Sequence, residues 1–439
     1  MRFDAASPHR SAATMPSGAL APDSLSMQQP PETSVACRSC GAVSLEVFLS
    51  LGDMPLPDAL LREDQLGSPE PRFPLDVAFC RSCSLVQILE EVAPEKLFVD
   101  NYLYFSSFSD DLMRHSREHA RRLTDERHLD SSSLVVEIAS NDGYLLRNFT
   151  EWGVSVLGID PAPDQAAAAE AAGVPTLPEF FGADLARRLR ASGSRADVII
   201  ANNVMAHTPT LNSFVEGLGI LVADNGLITI ENTYVKDLID HCAFDTIYHE
   251  HFCYFSCTAV DQLMRRHGLY LNEVEHFPEI QGGSLRWRIA PREKVEQSAA
   301  GLLAAEAVEG LASFEYYRKF GTRVERIGRE LRTLLEQLKA DGKRIAGYGA
   351  AAKGSTLVNY VGIDTTLVDY VVDRNVHKQG LYMPGTHLPI CDPSRLLQDM
   401  PDYLLLLAWN YKDEIMRQQE VYRARGGRLI VPVPSPEIL

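Results

Sequence analysis

The string Cys-Arg-Ser-Cys occurs twice, at residues 37–40 and 80–83. Two residues between thiolates let backbone N–H groups turn toward sulfur while both sulfurs reach one ion, and two such knuckles complete a tetrahedral shell. With every position filled by thiolate there is no opening for water, so the ion expected on Cys37, Cys40, Cys80 and Cys83 is a structural zinc. Reduced free thiols or a redox pair would account less well for two matched pairs. The text between them (LGDMPLPDALL, GSPEPRFPLDVAFC) is turn-rich and has too few periodic apolar residues to hold itself together, so it needs a staple. Eight Cys in 439 residues are too few for a disulfide scaffold. Cys242, Cys253, Cys257 and Cys391 have no paired spacing and read as buried or incidental thiols.

A four-cysteine module can also serve nucleic acid, and charge decides against it. The chain has 42 Lys+Arg against 59 Asp+Glu, a net −17 that repels phosphate backbones and anionic lipid yet permits a local pocket for one nucleotide. No stretch reaches the ~18 apolar residues that span a bilayer. The opening MRFDAASPHRSAAT has no continuous apolar run of secretory type. Nucleic acid and membrane are therefore excluded as partners, a cytoplasmic location is expected, and a monomer is the working expectation. Residues 1–33, rich in Ser, Pro and Ala without period, are expected to form a flexible tail.

After Pro94 an aromatic segment runs into an amphipathic helix expected to end before Ser131. The pattern then changes. LVVEIA (134–139), VSVLGIDP (154–161), ADVIIANNV (196–204) and GLITIEN (226–232) read as buried strands, separated by helical text such as AAAAEAAGV and LNSFVEGLGILV. This alternation predicts an α/β fold with a parallel sheet covered on both faces. Residues 295–341 read as helix, with Val324, Ile327, Leu331, Leu334 and Leu338 on one stripe. KRIAGYGAAAKG, LVDYVVDRN, YLLLLAW and RLIVPVP then start a second βα series.

In such a sheet, ligands sit beyond the carboxyl ends of the strands. The first strand ends in Glu137-Ile-Ala139-Ser-Asn141-Asp142-Gly143 and the second in Gly158-Ile-Asp160, whose carboxylate is placed to accept two ribose hydroxyls. That serves NAD as well as S-adenosylmethionine, so the loop must choose. A dinucleotide asks for G-x-G-x-x-G at a helix N-terminus, whereas a sulfonium cofactor with an amino-acid tail suits Asp142 and Asn141. Asn202, Asn203 and His207, after the third strand, are expected to line the same pocket, and Tyr144 is a weaker candidate.

The strings NYLYFSS, VVEIASNDGYLL, GIDPA, NNVMAH, YHEHFCYFS, GGSLR and GYGAAAKG follow the paired cysteines in an order that resembles the S-adenosylmethionine-dependent sugar C-methyltransferases of deoxysugar and antibiotic biosynthesis. The resemblance runs over about residues 34 to 439. It implies a zinc-binding domain (34–95), a Rossmann-like methyltransferase domain (96–300) and a second Rossmann-like domain (301–439). The implied activity is methylation at C3 of a nucleotide-linked 4-keto-6-deoxysugar, usually carried on dTDP. The loop departs from the E/D-x-G-x-G-x-G of methyltransferases at large, though similar loops are typical of this family.

Tyr248-His249-Glu250-His251-Phe-Cys-Tyr254 is the densest ionisable cluster in the chain. Removing a proton alpha to a ketone needs a base, and a neutral histidine suits it; a carboxylate can fix its tautomer and tyrosines can donate to the enolate oxygen. The residues alone do not choose between His249 and His251. The resemblance places the base on His251, with Glu250, Tyr248 and Tyr102 in support; His249 is expected to meet the substrate. Gly347-Tyr-Gly349-Ala-Ala-Ala-Lys353-Gly-Ser355 is not an ATPase loop, but Gly349, Lys353 and Ser355 at a helix start are expected to take the substrate's pyrophosphate. The alternatives are C-methylation of another activated keto compound, or a non-catalytic zinc-bearing protein that binds a ligand.

Overall fold

The computed structural model describes residues 35–99, 103–280 and 282–439; the expected tail at 1–33 lies outside the described residues. The chain from the first cysteine pair folds as a hairpin. β1 (Leu45–Pro55) pairs antiparallel with β2 (Arg72–Cys80), and β3 (Val86–Ile88) returns along β2. Bulges between Val47 and Leu49 and between Ser50 and Asp53 break the alternation of β1. That hides from the sequence a core that exists: Leu45, Leu49, Leu51, Met54, Leu75, Val77 and Phe79 are buried. Part of that core comes from far downstream, since Tyr317 stacks on Phe79 at 4.9 Å and lies 5.3 Å from Phe48. The expectation that only a metal holds this segment together is corrected accordingly.

The helix Asp110–Arg127 starts at Ser109, whose Oγ accepts from the Leu112 amide, and stops at His128 in the left-handed region. Then come β4 (Leu134–Ile138), β5 (Ser155–Ile159), β6 (Thr176–Leu177), β7 (Ala196–Asn202) and β8 (Val222–Thr233), all parallel. β9 (Cys253–Tyr254) leaves this sheet and pairs with β3. β10 (Tyr270–Phe277) and β11 (Ser284–Ala290) add an antiparallel edge, giving the order β10-β11-β8-β7-β4-β5-β6. The interior strands are near-continuous apolar runs because helices cover both faces.

Residues 295–341 are not one helix. Gly310, at φ +81°, ends Gln297–Glu309, and Phe314–Tyr317 and Phe320–Ala340 follow. Val324, Ile327, Leu331, Leu335 and Leu338 are buried while Leu334 is half-buried, so Leu335 replaces Leu334 on the inward stripe. The last sheet holds β12 (Ile345–Tyr348), β13 (Val371–Val372), β14 (Ile390–Cys391), β15 (Tyr403–Leu406), β16 (Arg428–Val431) and β17 (Glu437–Ile438), in the order β14-β13-β12-β15-β16-β17 and parallel except for β17. The carboxyl ends of both parallel sheets open onto one cavity of about 650 Å³, lined after β4, β5, β7, β8, β12, β13 and β15. Among the described residues no helix is long and apolar enough to cross a membrane.

Candidate active site

The two cysteine knuckles close alike. The Gly41 amide donates to the Cys37 carbonyl and the Ser84 amide to the Cys80 carbonyl, turning each pair inward. All four Sγ atoms lie within 4.8 Å of one another, with Cys37 to Cys83 at 3.5 Å and Cys40 to Cys80 at 3.6 Å. Zn–S bonds of about 2.3 Å set tetrahedral sulfurs about 3.8 Å apart, so the donor set fits zinc. Hydrogen bonds from Cys37 and Cys83 hold Cys80 far below the usual thiol range, while Cys37 and Cys83 are pushed up. A dication removes that conflict by charging all four.

At the end of β4 the backbone takes positive φ at Ala139 (57°), Asn141 (49°) and Gly143 (73°). These are the three positions that glycine holds in the E/D-x-G-x-G-x-G loop, so the departure in sequence keeps the backbone shape. A side chain on Gly143 would also meet Val174 at 3.0 Å. Asp160 receives the Asn141 amide on Oδ2 (2.8 Å) and the Ala162 amide on Oδ1 (2.9 Å). Each oxygen keeps a lone pair for a hydroxyl. Burial pushes its pKa up to about 6, against those two amides. Glu137 is buried behind the loop, pushed well above the carboxylate range by desolvation and then by Asp160 and Asp142. The Asn141 side chain accepts from the Ser106 amide (2.8 Å) and Asp142 from the Ser107 amide (3.2 Å), which fastens residues 103–108 over the cofactor loop.

His251 sits on the cavity wall. Its Nδ1 lies 2.8 Å from the Thr246 carbonyl, which can only accept, so Nδ1 carries the proton and Nε2 the lone pair. Tyr248 packs on the ring at 4.1 Å and His207 at 4.7 Å. Burial drives the His251 pKa well below 6.5, helped by His207 and Lys353, and takes His207 down to about 4. Both are therefore neutral at pH 7. Glu250 is buried and pushed well up by desolvation and Asp58, against Lys378. His249 points elsewhere: its Nε2 meets the Pro74 carbonyl at 3.1 Å and its ring packs on Phe73, so it does not line the cavity.

Protein-family comparisons divide the chain into a zinc binding domain over residues 37–98, a methyltransferase domain over 112–274 and a C-methyltransferase C-terminal domain over 279–434. The C-methyltransferase NovU of Streptomyces niveus is 36% identical over 406 residues, covering 92% of this chain and 96% of NovU. The chain belongs to the C-methyltransferase family. Among solved structures, the magnesium protoporphyrin IX methyltransferase of Synechocystis matches 44% of this chain and 88% of its own at 13% identity, with a TM-score of 0.32. The 1,6-didemethyltoxoflavin-N1-methyltransferase of Burkholderia thailandensis matches 43% and 81% at 14% identity and 0.31. Likenesses this slight add nothing to the family match.

This C-methyltransferase is dependent on S-adenosylmethionine and has a structural zinc site. Of the residues named from sequence, Ala139, Asn141, Asp160, Asn202, Asn203, His207, Tyr248, Glu250, His251 and Lys353 line the one cavity. Asp142, Gly143 and Gly349 belong to the turns behind it, and Glu137 lies at the end of β4 beneath the loop. Gly349 (φ +93°) must be glycine, since a Cβ would stand 2.7 Å from Ala408. Ser355 is buried in its helix, off the wall. Tyr102 lies outside the described residues.

The methyltransferase also places on the wall residues that sequence reading missed: Asp58, Asn232, Asn375, Lys378 and Asn410. Lys378 is buried and bonds Asp58 Oδ1 at 3.2 Å and the Ala350 carbonyl at 2.9 Å, joining the zinc-binding segment to the last sheet. Burial opposes its charge, but Asp58 and Asp373 outweigh this and raise its pKa. Asn232 Oδ1, Lys353 Nζ and both polar side-chain atoms of Asn410 are shielded from solvent with no hydrogen-bond partner among the described residues. Unpaired polar atoms on one cavity mark a place for ligand. Asn232, Asn375 and Asn410 stand at or after the carboxyl ends of β8, β13 and β15, where the strand-end rule could have found them, whereas Asp58 and Lys378 have no such signal because distant segments bring them together.

Proposed function

We propose that this methyltransferase adds a methyl group to C3 of a nucleotide-linked 4-keto-6-deoxysugar, with His251 as the base. The observation that carries the reading is the bond from His251 Nδ1 to the Thr246 carbonyl, which leaves a lone pair on a cavity that also reaches the cofactor loop and Asp160. S-adenosylmethionine, when bound, supplies an electrophilic methyl group. Asp160 holds the ribose hydroxyls, and the loop from Ala139 to Gly143 gives the cofactor a close backbone seat. His251 Nε2 takes the C3 proton, and Tyr248 and Tyr102 steady the enolate. Glu250, buried on the same wall and held toward its neutral form by desolvation and Asp58, supports the base. His249 serves the strand packing behind Pro74 and not the substrate. On the same reading the chain divides at residues 34–95, 96–300 and 301–439.

Incubation with S-adenosylmethionine and a panel of 4-ketosugar nucleotides tests this directly. The expected result is a gain of one CH2 in mass, located at sugar C3. Methylation of a non-sugar keto compound with the whole panel inert would overturn the substrate assignment.

A further inference from the structure

Among the described residues on the cavity wall, Lys353 is a cation without a hydrogen-bond partner. It lies in the first turn of the helix Ala352–Val361, half-buried along the cavity wall, with Nζ sealed from solvent. Its seat is the indole of Trp409, with Nζ 4.7 Å from the ring centroid. Trp409 Nε1 in turn donates to Asp245 Oδ2 at 2.6 Å. Asp245 is next to Thr246, whose carbonyl orients His251. The Lys353 helix is pinned to the same stretch, because Thr356 Oγ1 donates to the Ile247 carbonyl at 3.2 Å. Residues 245–247 therefore fix the base on one side and the cation's seat on the other.

We propose that Lys353 is a further catalytic residue, which stabilises the oxyanion formed when His251 removes the substrate's alpha proton, and that it does not bind the pyrophosphate. The inference rests on the proposed enolisation. In that step the C3–H bond breaks and N–H forms at His251 Nε2. The C–H electron pair becomes the C3–C4 double bond, and the carbonyl π pair moves to O4, where the Lys353 ammonium meets it. C3 then bonds to the methyl carbon as the S–CH3 bond breaks, O4 regains its double bond, and the proton on His251 leaves to solvent. A pyrophosphate is already charged before reaction and would be met better by exposed cations. A desolvated donor seated on the same stretch that orients the base matches charge that appears only during reaction. Burial, opposed by Asp245, lowers the Lys353 pKa and makes the ammonium a stronger donor. The same charge depresses the His251 pKa, so the two groups share one field.

The test is Lys353→Met, read at saturating 4-ketosugar nucleotide by exchange of C3 deuterium with solvent without cofactor, beside kcat and KM with it. Exchange and kcat should both fall about 10²–10³-fold, with KM for the sugar nucleotide within about threefold of the parent. A KM raised tenfold or more, with exchange unchanged at saturation, would move Lys353 to the pyrophosphate and overturn the proposal. Should the Met variant not fold, Lys353→Arg keeps charge and ring contact. It should lower kcat and exchange together at constant KM; a change in KM alone overturns the proposal. If the parent exchanges C3 deuterium and methylates, but Lys353→Met matches it, the lysine assignment alone fails. If the parent does neither on any member of the panel, the ketosugar reading fails and takes the lysine's role with it.

Discussion

The two ends of the cavity are built differently. The cofactor end is local: the loop after β4 and Asp160 after β5 come from two adjacent strands of one sheet, and backbone amides hold the acidic side chain in place. The opposite end is assembled from Asp58 beyond β1, Glu250 and His251 after β8, and Lys353, Lys378 and Asn410 of the last sheet. Its fixing contacts are side-chain bonds across segments, such as Lys378 to Asp58 and Trp409 to Asp245. A site fixed by its own backbone tolerates disturbance elsewhere. One fixed by packing between segments does not.

The zinc site offers the most severe way to break that comparison. Cys80→Ser removes a ligand where binding energy is folding energy, so bound zinc should fall from about one per chain to none and the melting temperature should drop steeply. Because Asp58 lies between the two knuckles and meets Lys378, turnover should be lost more completely than S-adenosylmethionine binding, as calorimetry beside a rate assay would show. Chelation too brief to strip the four-thiolate site should leave activity intact, whereas chelation long enough to remove the zinc should reproduce the Cys80→Ser loss.

Asp160→Ala acts at the other end alone. Losing a charged acceptor for two hydroxyls should weaken cofactor binding by about 1.5–3 kcal/mol while kcat at saturating cofactor changes little. Equal affinity in variant and parent would remove Asp160 from the site.

How much of this could be read from sequence follows the same division. The metal ligands, the loop from Glu137 to Gly143 and Asp160 stand at fixed spacings on regular strands, so a short window of text suffices. The β1 bulges hide a hairpin core because they shift the side-chain period by one residue. Asp58 and Lys378 have no local signature at all, since their juxtaposition depends on how the hairpin meets the last sheet. His249 and His251 are equivalent in text; only the direction each side chain takes, to Pro74 or to Thr246, separates them.

A pH series distinguishes the two ends more gently. Burial pushes the Asp160 pKa up to about 6, so cofactor Kd should rise as pH falls through that value, approaching tenfold per unit below it. His251 is held below its ordinary value by burial, His207 and Lys353, so kcat at saturating cofactor should respond to falling pH later than cofactor Kd does. The opposite order, kcat falling first, would mean that the base charges before the cofactor carboxylate does.

The smallest effect concerns the loop backbone. Ala139 is held at φ 57°, where a side chain costs roughly 1–2 kcal/mol, and glycine gives back about 0.5–1 through unfolded-state entropy. Ala139→Gly should therefore stabilise the protein by about 0.5–1 kcal/mol in denaturant titration, with cofactor affinity unchanged.

The central claim is that His251, oriented by the Thr246 carbonyl, removes the proton at C3. Solvent exchange of C3 deuterium from a 4-ketosugar nucleotide, measured without S-adenosylmethionine, isolates that step from methyl transfer. The account predicts that His251→Asn slows exchange at least about 10²-fold while cofactor affinity stays near the parent's, and that His249→Asn exchanges at close to the parent rate. Exchange at the parent rate in His251→Asn, with loss in His249→Asn, would contradict it.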